Sequence, residues 1–125
     1  MSRDPTSFPD LTKAISHRIS ALRESQPQAM HGFRQLSDGA MTAGAIDAKT
    51  KELMALALGI GARCDACIGF HAKALVAMGA ARAEIEETVA VAVYMGGGPS
   101  LMHGAQALAA FEQFEEKAAV RGAAA

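Results

Sequence analysis

Asp47-Ala48-Lys49-Thr50-Lys51-Glu52-Leu53-Met54-Ala55-Leu56-Ala57-Leu58 is the stretch that decides the fold class. Asp47 is an N-cap residue type placed just before a run of good helix formers. After its first turn the run becomes apolar all round, the mark of a helix buried in the middle of a bundle. It predicts a helix from Ala48 to about Gly59, broken by Gly59, Gly61 and Ala62. The composition agrees. Among 125 residues, 50% are apolar and 20% charged, with five Phe, one Tyr and no Trp. Ala and Met are plentiful, β-branched runs are scarce, and Ala has the highest helix propensity. All-α is the expectation.

Immediately downstream stands Arg63-Cys64-Asp65-Ala66-Cys67-Ile68-Gly69-Phe70-His71, which holds the only two cysteines of the chain. On a helix, positions 64, 67 and 71 share one face, so two thiols and an imidazole are presented together. A helix beginning near Cys64 would favour a thiolate at its partly positive end. This fourth helix should run to about Met78, with Gly79 as its C-cap.

Towards the N-terminus, Pro5 and Pro9 mark residues 1–9 as an arm, and Asp10 is the expected cap of a first helix carrying Leu11, Ile15, Ile19 and Leu22. Pro27 suits the first turn of a second helix with Met30, Phe33, Leu36 and Met41. Towards the C-terminus, Arg82 to Met95 contains an alternation of Val89, Val91 and Val93. Ile85, Val89, Ala92 and Val93 also fit a helix, and Glu84, Glu86 and Glu87 suit its N-terminus. With no partner strand in view, helix is the reading. Gly96-Gly97-Gly98-Pro99 should break the chain before a sixth helix, from about Ser100 to Lys117. Leu101, Leu108, Phe111 and Phe114 are its expected apolar contacts. Residues 119–125 should fray.

The length suits one domain, residues 1–125, able to bury a core without staples. A formal net charge of −1 with mixed signs points to neither a nucleic-acid groove nor a polybasic membrane surface. The first residues lack the apolar core of a signal peptide, and no apolar run has the length of a span. The expected location is cytoplasmic, where a lone C-x-x-C is more often redox, catalytic or metal-binding than a staple.

Several readings of the cysteine pair stay open from the residues alone. Two buried thiols in an Ala-rich helix is the bland one. Zinc would need a fourth ligand beside Cys64, Cys67 and His71, and His103 is the available candidate. A thioredoxin-type site requires a strand before its C-x-x-C, where a helix is expected here. A redox dithiol on a helical scaffold is favoured. Glu52 is either an exposed charge beside Lys49 and Lys51 or a carboxylate pairing with His71 to move protons. His17 and His31 read as surface residues, and His103 as a residue lining the pocket. The glycine run at 96–98 lacks the Lys-Ser/Thr ending of a phosphate loop.

Taken together, Glu52, Cys64-x-x-Cys67, His71 and the Gly-Gly-Gly-Pro before the sixth element resemble the carboxymuconolactone decarboxylase-like superfamily. The branch is that of alkylhydroperoxidase D. The spacings of twelve from Glu52 to Cys64 and four from Cys67 to His71 match its motif. The resemblance covers about residues 45–115. It implies a bundle of about six helices assembling into homotrimers or hexamers, and thiol-dependent reduction of hydroperoxides. It further implies Cys67 as the peroxide-attacking thiol, Cys64 as the resolving thiol, and Glu52 with His71 as the proton relay. The Cys64–Cys67 disulfide would be the only redox group, with no added cofactor or metal. The electron donor would be a dithiol of the lipoyl or thioredoxin-like kind. The chain departs from the pattern at Ala66, where the founding enzyme carries a second histidine. Alternatives are a lactone-modifying enzyme of the decarboxylase type and a non-enzymatic, redox-sensing helical oligomer.

Overall fold

The computed structural model describes residues 3–124 and contains six helices in chain order: α1 (Phe8–Ser25), α2 (Pro27–Met41), α3 (Ala48–Gly61), α4 (Asp65–Ala77), α5 (Arg82–Gly96) and α6 (Gly98–Ala124). Among the described residues there is no strand. The valines of α5 therefore follow the helical period, and Ile85 and Ala92 from that helix are buried.

Four helices close a ring, α3 against α4, α4 against α6, α6 against α5, and α5 back against α3. Its centre holds Leu56 and Ile60 of α3, Ile68, Ala72 and Leu75 of α4, Ile85 and Ala92 of α5, and Ala107, Ala110, Phe111 and Phe114 of α6. Small residues permit the close crossings. A Cβ on Gly104 of α6 would lie 2.6 Å from Cγ1 of Val89 on α5, so this pair of helices meets backbone to side chain.

Helix α1 lies across α4 and α6, and it starts earlier than expected. Ser7, not Asp10, is the N-cap, its Oγ accepting from the Asp10 amide at 3.3 Å. Phe8 and Pro9 fill the first two helical positions, where proline's missing N–H leaves no bond unmade. Phe8 is a core residue, and Gln113 of α6 holds the segment before it. The Phe8 amide donates to Gln113 Oε1 at 2.8 Å, and Gln113 Nε2 donates to the Thr6 carbonyl at 3.1 Å. The expected arm at 1–9 is thus fastened to α6 over its described part, and residues 1 and 2 lie outside the described residues.

At the C-terminal end, where a frayed tail is expected at 119–125, α6 is helical as far as Ala124, and residue 125 lies outside the described residues. Two further expectations are corrected. The sixth helix opens at Gly98 instead of Ser100, leaving only Gly97 (φ +72°) as the break. Leu101, one of its expected apolar contacts, is exposed.

Helix α3 differs in a more consequential way. Its N-terminus is capped as expected, with Asp47 Oδ1 accepting from the Thr50 amide at 2.7 Å. It is not buried all round, however, since Met54 and Leu58 point outward and Leu58 is 72% exposed. Its end is a Schellman closure, in which the Cys64 amide bonds the Gly59 carbonyl and the Arg63 amide that of Ile60. The closure needs one left-handed residue, and this is Arg63 at φ 58°. An arginine there costs about 1–2 kcal/mol relative to a glycine's freedom. The turn delivers Cys64 directly onto the start of α4.

Candidate redox site

Cys64 is the N-cap of α4, and Cys67 closes the first turn of that helix. The Cys67 amide donates to Cys64 Sγ at 3.1 Å, so the sulfur occupies the place an Asp or Ser oxygen takes in an ordinary cap. The two cysteines form a disulfide, with their Cα atoms 5.2 Å apart. Both residues are partly accessible. Helix α4 begins with Asp65, and the free amides of its first turn favour negative charge at the cap.

Cys67 is seated against α3. A Cβ on Gly59 would come within 3.2 Å of Cys67 Cβ, so glycine is what lets α4 approach this closely. From the same helix, less than two turns earlier, Glu52 reaches over. Its Oε2 lies 2.7 Å from His71 Nδ1. The Glu52 side chain is 13% exposed and that of His71 31%. A carboxylate this enclosed needs a hydrogen-bond partner, and the imidazole provides it. The bond to Nδ1 orients the ring and leaves Nε2 free for another proton. His71 stands one turn beyond Cys67 on α4, so the Glu52–His71 pair adjoins the dithiol from the helix-interior side. Glu52 is thus paired with His71 and is not an exposed charge.

His103 approaches from α6. Its Nδ1 lies 3.4 Å from Oδ1 of Asp65, the residue that follows Cys64. His17 and His31 are exposed, on α1 and α2. Asp65 was the residue that sequence reasoning passed over. The only signal for it was its place between the cysteines, and its partner is 38 residues away in the chain. Among the described residues, no three or more His, Cys, Asp or Glu side chains converge as a metal-holding group. No described helix is long and apolar enough to cross a membrane.

Comparison with known proteins bears on this arrangement. The family model described as "Carboxymuconolactone decarboxylase family" matches residues 27–110. The chain belongs to that family. A solved family member from Legionella pneumophila is 49% identical, with a TM-score of 0.86 over 86% of this chain and 96% of that one. A second, from Thermotoga maritima, is 28% identical, with a TM-score of 0.75 over 84% of this chain and 90% of that one. An uncharacterized protein of Cupriavidus necator is 37% identical over 98 residues, 78% of this chain and 87% of its own length.

Proposed function

We propose that the protein is a thiol-dependent reductase of hydroperoxides, cycling between the Cys64–Cys67 dithiol and its disulfide. The observation that carries this reading is the 2.7 Å Glu52–His71 pair, its imidazole one helical turn from Cys67 of a C-x-x-C at a helix start. A merely structural disulfide has no use for a proton-carrying pair at its side. The Thermotoga maritima neighbour, described as possibly involved in an antioxidative response, is consistent with it.

In the reduced protein, the His71 imidazole, oriented by Glu52, takes the Cys67 proton. The thiolate attacks the outer oxygen of the peroxide and the O–O bond breaks. The sulfur becomes a sulfenic acid, and the leaving alkoxide takes the proton from His71 and departs as alcohol. Cys64 then attacks the sulfenic sulfur, the S–O bond breaks, and the disulfide forms with release of water. An external dithiol, of the lipoyl or thioredoxin-like kind, returns two electrons and two protons by exchange. Access for such a donor is consistent with the partly exposed cysteines.

Assembly with copies of the same chain, as a trimer or hexamer, belongs to this reading. Helix α2 contributes no buried residue, touches only α1 and α3, and exposes Phe33 and Leu36. Leu58 of α3 is exposed as well, as are Val91, Tyr94 and Met95, which fall at helical spacing on α5. Isolated helices of this length are marginal in water, and their ordering entropy calls for burial elsewhere.

The test is consumption of an organic hydroperoxide with a dithiol donor by wild type, Cys67→Ser and Cys64→Ser. Turnover in wild type and its loss in both variants is expected. Undiminished turnover in Cys67→Ser, or none in wild type with any dithiol donor, would overturn the proposal.

A further inference from the structure

Closing a disulfide from a dithiol releases two protons, and the Glu52–His71 pair accounts for one of them. Cys64 sits at the other end of the motif, at the N-cap, with the Cys67 amide directed at its sulfur. The residue that follows it, Asp65, meets His103 of α6 with Oδ1 and Nδ1 3.4 Å apart. Those two atoms are both shielded from solvent, yet neither makes a hydrogen bond. Oε1 of Gln106, one turn along α6, is shielded and unbonded as well. Buried polar atoms that make no hydrogen bond are costly and are seldom kept without a use. The N-terminus of α4 is therefore flanked by two acid–imidazole pairs, one reaching from α3 and the other from α6.

We propose that His103, positioned by Asp65, is the proton acceptor for the resolving thiol Cys64. The division of labour follows from Asp65, the partner of His103, standing next to Cys64, and His71 one turn beyond Cys67. The helix-end amides stabilise the Cys64 anion, and His103 takes the proton that leaves it. During resolution of a sulfenic acid that proton goes on to the departing hydroxide, giving water. During resolution of a mixed disulfide it goes to the departing thiolate, giving a thiol. In both cases the Cys64–Cys67 S–S bond forms as the bond from Cys67 sulfur to the leaving atom breaks, and no further oxidant is consumed. The 3.4 Å gap between Asp65 and His103 closes to a hydrogen bond as the ring becomes charged.

This inference rests on the dithiol reading but not on peroxide as the oxidant, and its test separates the two. Pre-reduced protein is mixed with glutathione disulfide, and the glutathionylated intermediate and the intramolecular disulfide are followed by mass spectrometry, the adduct being located by fragmentation. For His103→Gln, we expect the Cys67 adduct to form at the wild-type rate and to close about tenfold or more slowly, within the range for loss of a general base. Asp65→Asn should slow closure in the same step. A merely structural role would alter both steps or neither. Free imidazole should restore closure in His103→Ala. Closure at the wild-type rate in His103→Gln overturns the proposal, as does an adduct that accumulates on Cys64. Should His103→Gln lose its helical circular dichroism, Asp65→Asn decides by the same criteria. Wild type that closes its disulfide with glutathione disulfide but ignores hydroperoxides would sink the peroxidase reading and leave this one standing.

Discussion

Glu52 and His71 are each the other's hydrogen-bond partner at 2.7 Å, and that mutual dependence makes the pair testable residue by residue. Glu52→Gln keeps the shape and one hydrogen bond but removes the charge that opposes the imidazolium. Hydroperoxide turnover should fall about 10- to 100-fold with unchanged helicity, as checked by steady-state kinetics and circular dichroism. Both residues were legible in the sequence, because helical spacing ties His71 to Cys67 and Glu52 opens the apolar run. Arg63 was not. A left-handed residue at a helix end is normally announced by glycine, and here the glycines stand at 59 and 61 instead. Arg63→Gly should raise stability by about 0.5–1 kcal/mol, seen as a melting temperature a few degrees higher, while Arg63→Ala should gain little. The Asp65–His103 meeting was equally illegible, since it depends on how α6 crosses α4.

Among the elements, number and order could be read from the sequence, but several ends could not. In the sequence Pro9 reads as an interruption, whereas its place in the first turn of α1 makes it a helix starter. The same holds for Pro99 at the start of α6. Crossings were invisible in the linear pattern, and they are where substitution is expected to be costly. Gly104→Ala would press against Val89 and should destabilise the protein by about 1–3 kcal/mol in chemical denaturation. The caps of α3 and α5 carry a pH dependence. The Thr50 amide holds the Asp47 carboxyl below its ordinary value, and the Ala81 amide, with Lys49 behind it, does so for Glu84. The Lys49–Glu84 bridge, at 2.9 Å, also ties α3 to α5. Because both carboxyls titrate lower when folded, their stabilisation is present above the usual carboxylate range, about 4. It is lost as pH falls through that range towards the folded values. The Asp47→Asn, Glu84→Gln double variant should show a shallower decline of melting temperature below about pH 4 than wild type.

At the scale of the whole molecule, the sequence supported a helical bundle of one chain. It misjudged α3 as enclosed, because an apolar run does not say whether its cover comes from the same chain. The outward Leu58 and the 86% exposed Tyr94 lie on α3 and α5, which pack against each other in the ring. Covering them with a second copy would remove a large apolar surface from water. Leu58→Glu should therefore shift the protein to smaller species in sedimentation velocity, and unchanged species in that variant would contradict an interface there. In the proposed cycle, Cys64 and Cys67 exchange two electrons with a hydroperoxide. A single-turnover experiment on pre-reduced protein, without added reductant, tests it most directly by counting alcohol released and disulfide formed. One alcohol is expected for each Cys64–Cys67 disulfide in wild type, and no disulfide in Cys64→Ser, which should stop at a Cys67 sulfenic acid. Peroxide consumed with both thiols still free would contradict it.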